Sequence, residues 1–349
     1  MQVERTTAAI LAASRQPLVI DRIELPDELL AGQVLVRLHH STICGAQVNE
    51  IEAVKGPDKY LPHLLGHEGS ATVLEVGPGV TTVNEGDTVV LHWRPSAGIQ
   101  CQPPCYRWRG APLNAGWVTT FNAHAVVSEN RMTPIPSNFD LRVAPLFGCA
   151  VTTAAGVIGN DAKVRVGESV VVFGSGGVGL SVLQFAALAG AYPIVAVDLV
   201  EAKLDIARRY GATHALNATS MTLDDIGHEV RGIVGALGPD KVVETTGAAR
   251  VIEKAYELTH PEGTCVLVGV PHEKVSIYTL PIHFDKVLTG SHGGSARPEL
   301  DIPRLVKLNE VGRLPLKDMI THQFELEEIN DALDVVRSGE AGRVLISFE

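Results

Sequence analysis

Cys44 in Thr42-Ile43-Cys44-Gly45, His67 in Leu65-Gly66-His67-Glu68-Gly69 and Cys149 in Phe147-Gly148-Cys149-Ala150 are the residues best suited to hold a metal. Two thiolates and an imidazole supply three corners of a tetrahedral zinc and leave the fourth open for a substrate oxygen or water. Taken singly, each has a plainer role: a Cys as a small core hydrophobe, a His as a hydrogen-bonded ring.

A second constellation follows in the chain. Gly174-Ser175-Gly176-Gly177-Val178-Gly179 comes after the apolar run Ser169 to Phe173 and opens a helical stretch. In a dinucleotide-binding turn the first glycine permits the tight bend, the second lets the backbone approach a pyrophosphate, and the third lets helix and strand pack closely. The helix N-terminus adds unpaired N–H groups for the phosphate. Asp198 ends the next apolar strand, where a carboxylate accepts hydrogen bonds from ribose hydroxyls. It would also repel a 2′-phosphate, and Leu199 and Val200 offer no cation to receive one, so NAD is expected over NADP. Lys203 is a candidate for the adenosine ribose or an ordinary solvated helix charge.

These residues need two kinds of scaffold. The first 150 residues carry short β-branched runs, Val34 to Leu38, Ala71 to Val76, Thr88 to His92 and Ala123 to Val127, separated by turns such as Glu85-Gly86-Asp87, which predicts a mostly antiparallel β unit. From Ser169 onward strands alternate with helices: Ile194 to Asp198, Lys241 to Glu244 and Thr264 to Val268 are the next strands. That pattern predicts an α/β unit with a parallel sheet covered on both faces. In the tail, Leu326, Ile329, Leu333 and Val336 share one face of a helix that stops near Gly339.

The whole is 349 residues, long enough for two domains. With 29 Lys+Arg against 40 Asp+Glu the net charge is −11, which argues against a nucleic-acid groove. The most apolar region, Ser169 to Val197, is broken by glycines and a proline and makes a poor membrane span. Five cysteines are too few for a disulfide framework over this length, which suits a cytoplasmic protein.

Cys44, Gly66-His67-Glu68, Glu85-Gly86-Asp87, Gly148-Cys149 through Thr152-Thr153, the glycine turn, Val197-Asp198 and the tail Ile320-Thr321-His322 occur in an order that resembles the zinc-dependent medium-chain alcohol dehydrogenase family, in its class I and class III branch. The resemblance spans essentially the whole chain. It implies a GroES-like β domain, 1–151 with 292–349, holding the catalytic zinc, and a doubly wound Rossmann domain, 152–291, binding NAD. It further implies Cys44, His67 and Cys149 as zinc ligands and Glu68 as the acidic residue beside the metal. Thr153 matches a hydroxyl near the nicotinamide, Val268 a further cofactor contact, and Arg343 an arginine near the cofactor phosphates. Ala46, Trp93 and Trp117 fall in the substrate pocket, and relatives form dimers or tetramers. The implied reaction is reversible hydride transfer between a small alcohol and NAD.

The chain departs from that family at three places. Cys101 and Cys105 stand where many relatives have four cysteines, too few for a Cys₄ site, so one zinc and no structural zinc are expected. Ala46 and Gln47 occupy the places of a Ser or Thr and an Asp, and Asn49 stands where some relatives have a relay His. Alanine cannot relay a proton, which leaves bound water, Glu68, His39 or His40, or a substrate hydroxyl; Gln47 can still accept the imidazole N–H through its amide oxygen. Gly45 replaces a basic residue that touches the pyrophosphate in some relatives. His92, Asn114 and the missing hydroxyl together favour a polyol, sugar or cyclitol. The alternatives are a thiol-adduct alcohol dehydrogenase, an epimerase or eliminase that oxidises only transiently, and a cofactor-binding protein without activity.

Overall fold

The computed structural model describes residues 2–348, in two compact units. One runs to Cys149 and resumes at Arg297; the other is Ala150–Ala296. The borders differ from the sequence expectation of 151 and 291. The Gly293–Ser295 turn stays with the second unit because Asn160 donates to the Gly294 carbonyl (2.9 Å) and Gly294 N–H donates to Ser291 Oγ (2.9 Å).

The first unit contains two sheets. One is antiparallel throughout, in the order His63–Leu64, Arg5–Leu11, Val19–Glu24, Tyr106–Trp108, Ala111–Leu113. The other is built around the long strand Gln33–Ile43, which pairs with Gly69–Val76, His124–Ser128 and the late strand Arg343–Ser347. Alternate residues Val34, Val36 and Leu38 are buried against Ala71, Val73, Val89 and Val127, the period of two that a sheet imposes. The helix Ile329–Ser338 buries Ile329 and Leu333 with Leu326 just ahead of it, and ends at Gly339, whose φ of 74° is the left-handed cap that glycine adopts without strain.

The second unit is a six-stranded parallel sheet in the order His214–Asn217, Ile194–Asp198, Val170–Phe173, Lys241–Glu244, Thr264–Leu267, Val287–Gly290. Numbered along the chain, this is 3-2-1-4-5-6, the doubly wound order in which ligands bind where the winding reverses. The central strand Val170–Phe173 is buried at every residue, as a sheet covered by helices on both faces requires. The helices Gly177–Leu188, Glu201–Arg209, Leu223–Val234 and Ala249–Leu258 supply that cover.

All five cysteines are free thiols, and among the described residues no helix is long and apolar enough to cross a membrane.

Candidate metal and dinucleotide sites

Strand pairing brings the first two metal candidates together. Cys44 directly follows the strand Gln33–Ile43, and His67 and Glu68 directly precede Gly69–Val76. These strands run antiparallel with Ser41 opposite Gly69, so the end of one lies beside the start of the other. Cys149 reaches the same place because Gly148 has no side chain: a Cβ there would lie 2.4 Å from the Leu91 carbonyl oxygen and 2.7 Å from Glu68 Cβ. As a result, donor atoms of Cys44, His67 and Cys149 all lie within 4.8 Å of one another.

The local chemistry matches a metal. His67 Nε2 is buried without a hydrogen-bond partner, an orphan that a metal bond explains. A hydrogen bond from Cys149, with His67 beside it, holds the Cys44 thiol well below its ordinary range despite burial; the same contact and burial push Cys149 well above it. Burial opposes protonation of His67, but the Cys44 thiolate and Glu68 outweigh it and raise that ring. A divalent cation would take the place of the proton that two such closely packed sulfurs share. The residues fit zinc.

Glu68 and Arg343 stand behind this cluster. Val344 is in register with Ile43, so Arg343 is carried to the end of the strand that precedes Cys44. Its guanidinium donates to Thr42 Oγ1 (2.9 Å) and to Glu68 Oε1, and the two charged residues are 4% and 0% exposed. The family resemblance implies an Arg343 near the cofactor phosphates; the partners it has in the fold are Glu68 and Thr42. No motif in the sequence marks Thr42 for this contact.

Gln47 sits one turn into the helix Gly45–Ile51, where its Oε1 accepts the Cys44 N–H (2.8 Å) and its Nε2 meets His67 Nδ1. Ala46 is exposed on the same helix. His39 and His40, candidates for moving a proton, are hydrogen-bonded to Thr72 Oγ1 (2.8 Å) and Ser347 Oγ (3.3 Å). His92 is 1% exposed and bound to the Arg94 carbonyl (2.8 Å) and Thr133 Oγ1 (2.9 Å), while Asn114 donates to the Tyr60 carbonyl (2.7 Å). Trp117 is exposed, its indole N–H donating to the Cys101 carbonyl (3.1 Å) under the Arg131 guanidinium. Trp93 is half-buried with the Arg94 guanidinium 5.7 Å from its ring centre. Cys101 is buried and Cys105 exposed, and neither belongs to a metal-type cluster among the described residues.

In the second unit the glycine turn lies where the winding of the sheet reverses. Gly174 has φ of 90°, and a Cβ on Gly179 would lie 1.9 Å from the Gly174 carbonyl oxygen, so both need glycine. A Cβ on Gly176 would meet nothing within 4 Å: this is open space beside the N-terminus of Gly177–Leu188, which suits a passing pyrophosphate. Val178 is in the first turn of that helix. Asp198 is half-buried and accepts from Ser175 N–H (2.5 Å) and Val200 N–H (3.0 Å), which fixes its carboxylate beside the turn. Lys203 is half-buried on Glu201–Arg209, and Val268 follows Thr264–Leu267 with its N–H on the Glu244 carbonyl (2.8 Å). Thr153 is buried in the helix Ala150–Gly156.

Comparison with known proteins agrees with this architecture. An alcohol dehydrogenase GroES-like domain model matches residues 30–137, and a zinc-binding dehydrogenase model matches 177–309. A class-3 alcohol dehydrogenase of Cereibacter sphaeroides is 32% identical over 99% of this chain and 100% of its own. An S-(hydroxymethyl)glutathione dehydrogenase of Escherichia coli is 30% identical over the same shares. Among solved structures, an alcohol dehydrogenase zinc-binding domain protein from Burkholderia ambifaria is 28% identical with a TM-score of 0.90 over 99% of both chains. Benzyl alcohol dehydrogenase of Acinetobacter calcoaceticus shares the fold, at 24% identity and a TM-score of 0.89 over 99% of this chain and 100% of its own. With full-length relatives at 30% identity and above and both domain models in chain order, the protein belongs to the zinc-dependent medium-chain alcohol dehydrogenase family.

Proposed function

We propose that this chain is an NAD-linked dehydrogenase that uses one zinc, held by Cys44, His67 and Cys149, to interconvert an alcohol-type hydroxyl and a carbonyl. The observation that carries the reading is the convergence of three donor atoms within 4.8 Å around a buried His67 Nε2 that has no other partner. When bound, zinc supplies a Lewis acid for the substrate oxygen and NAD supplies the hydride acceptor. The chain's own contribution is positional and electrostatic. Arg343 balances Glu68 behind the metal ligands, and Gln47 orients the His67 ring. Asp198 offers its carboxylate to ribose hydroxyls and disfavours a 2′-phosphate. No side-chain hydroxyl stands at Ala46, so the proton of the substrate hydroxyl leaves through water or through the substrate itself.

For the substrate we favour the hydroxymethyl adduct of a low-molecular-weight thiol. The names of the full-length relatives support this class. The polyol reading favoured from the sequence loses one of its three arguments, because His92 is buried with both ring nitrogens bonded to its own protein. The deciding experiment follows NAD reduction with formaldehyde in the presence and absence of glutathione and other thiols, beside a panel of polyols and simple alcohols. Thiol-dependent turnover supports the reading; turnover confined to polyols overturns the substrate, and full activity in Cys44→Ser overturns the role of zinc.

We further propose a homo-oligomer formed along the edge strand Val287–Gly290. Val287 there and Tyr278, Leu280, Ile282 and Phe284 just before it are exposed, a concentration of apolar surface on an open sheet edge that a second copy would cover. A monomer by sedimentation equilibrium at micromolar concentration would overturn this.

A further inference from the structure

A second group of metal-type side chains lies in the first unit, separate from the Cys44 cluster. Glu50, in the last turn of the helix Gly45–Ile51, Asp58, in the connection that follows, and His63, on the strand His63–Leu64, bring one donor atom each within 4.8 Å of the others. His63 is 6% exposed, and its Nε2 lies 2.7 Å from Asp58 Oδ2 and 3.9 Å from Glu50 Oε1.

The other ring nitrogen decides what this contact needs. His63 Nδ1 is 3.0 Å from the Leu64 carbonyl oxygen, which can only accept, so Nδ1 carries a proton. In the neutral ring Nε2 is then a lone pair facing two carboxylates, and the 2.7 Å contact is repulsive unless something positive sits between. A second ring proton answers that with a single charge, hydrogen-bonded to Asp58 at 2.7 Å and 3.9 Å from Glu50. A divalent cation answers it for all three groups. The ring N–H held on a backbone carbonyl is also how metal-bound imidazoles are oriented.

We propose that Glu50, Asp58 and His63 form a second, exchangeable divalent-cation site. One imidazole and two carboxylates select zinc or a neighbouring first-row divalent ion over magnesium or calcium. Metal–donor bonds of about 2.0–2.2 Å require donors roughly 3.0–3.6 Å apart. Asp58 must therefore withdraw slightly from His63, and Glu50, on an exposed helix end, must move in. Glu50 being exposed, water fills the remaining positions. Bound there, the cation ties the connection holding Asp58 to the helix on one side and to the strand on the other. With no thiolate, the site binds more weakly than the Cys44 cluster, so dialysed protein keeps the first metal and loses the second.

The test uses dialysed holoenzyme retaining its tightly held zinc, titrated calorimetrically with zinc chloride and, separately, with magnesium chloride. One additional zinc per chain is expected, at least about tenfold weakened in both Asp58→Asn and His63→Gln, with no magnesium uptake. Cys101→Ser is run beside them, because Cys101 and Cys105 are the rival place for a second zinc. An additional zinc that persists in the Asp58 and His63 variants, or that is lost in Cys101→Ser, overturns the proposal, as does wild-type protein taking up none. Asp58→Asn keeps the shape of the side chain, and its unchanged circular dichroism and melting in chelator exclude unfolding as the cause of a loss. The readout is independent of turnover, so a wrong assignment of the reaction leaves this result intact.

Discussion

Replacing Gln47 by a glutamate should tighten zinc binding, and the reason is a count of lone pairs. A zinc on His67 Nε2 obliges Nδ1 to carry the ring proton, which then needs an acceptor. The Gln47 amide is the group in contact with Nδ1, but its oxygen already accepts the Cys44 N–H at 2.8 Å and its Nε2 is what faces the ring. One amide oxygen therefore has two donors to serve, and turning the amide to face His67 takes the acceptor from Cys44. A carboxylate of the same length has an oxygen for each. A hydrogen bond to a charged acceptor is worth roughly 1.5–3 kcal/mol, and changes to the groups that orient a metal ligand shift affinity about 10–100-fold. Gln47 is 1% exposed, so a carboxylate in its place would be a buried charge without compensation until the metal arrives. The expected result of Gln47→Glu is thus a zinc Kd lower by about 10–100-fold in chelator competition, with a metal-free protein that melts earlier than wild type. A Kd unchanged within about threefold, or a weaker one, would refute the reasoning.

Further predictions concern the surroundings. Gly148→Ala puts a methyl group 2.4 Å from the Leu91 oxygen and should cost roughly 1–3 kcal/mol, read by thermal denaturation, with faster loss of zinc to a chelator. Arg343→Ala leaves Glu68 buried without its cation and should destabilise by about 3–5 kcal/mol; a loss below about 1 kcal/mol would mean the pair is not buried in solution. Gly179→Ala should abolish NADH binding as seen by fluorescence, since its Cβ meets the Gly174 oxygen at 1.9 Å. Asp198→Ala should lower the NAD over NADP preference in kcat/KM by about tenfold or more. Burial holds His92 down to about 4. The unfolded chain therefore binds the extra proton first, and stability should fall as pH drops from about 6.5 to 4, by at most about 3 kcal/mol. His92→Gln should flatten that part of the melting profile.

The parts of the molecule that could be read from the sequence are those where residue type alone constrains geometry. The glycine turn and the buried strand Val170–Phe173 belong here, because a positive φ, a forbidden Cβ and a run of β-branched residues admit few structures. Strands such as Val19–Glu24 and His214–Asn217 escape notice because they are partly exposed and carry Asp, Arg, His and Asn, so no apolar period marks them. The pairing of Arg343 with Glu68 and Thr42 is equally hidden: it depends on the register of Val344 with Ile43, which only the folded sheet determines. His92, which is 1% exposed, illustrates the converse error. A polar side chain near a motif suggests a ligand, but a buried one is more often satisfied by its own protein.

The late strand Arg343–Ser347 also sets a schedule. Its arginine meets a threonine 301 positions earlier in the chain, and the charge that balances Glu68 leaves the ribosome 275 residues after Glu68 itself. At about 5–20 residues per second, Glu68 exists for tens of seconds before its counter-ion does. During that interval the second unit, continuous in sequence, has everything it needs to fold, while the first must wait with an unfilled slot beside Gln33–Ile43. A nascent chain halted near residue 300 should therefore protect the parallel sheet from proteolysis and leave the first unit open, with the cluster around Cys44 completed only after Arg343 has been made.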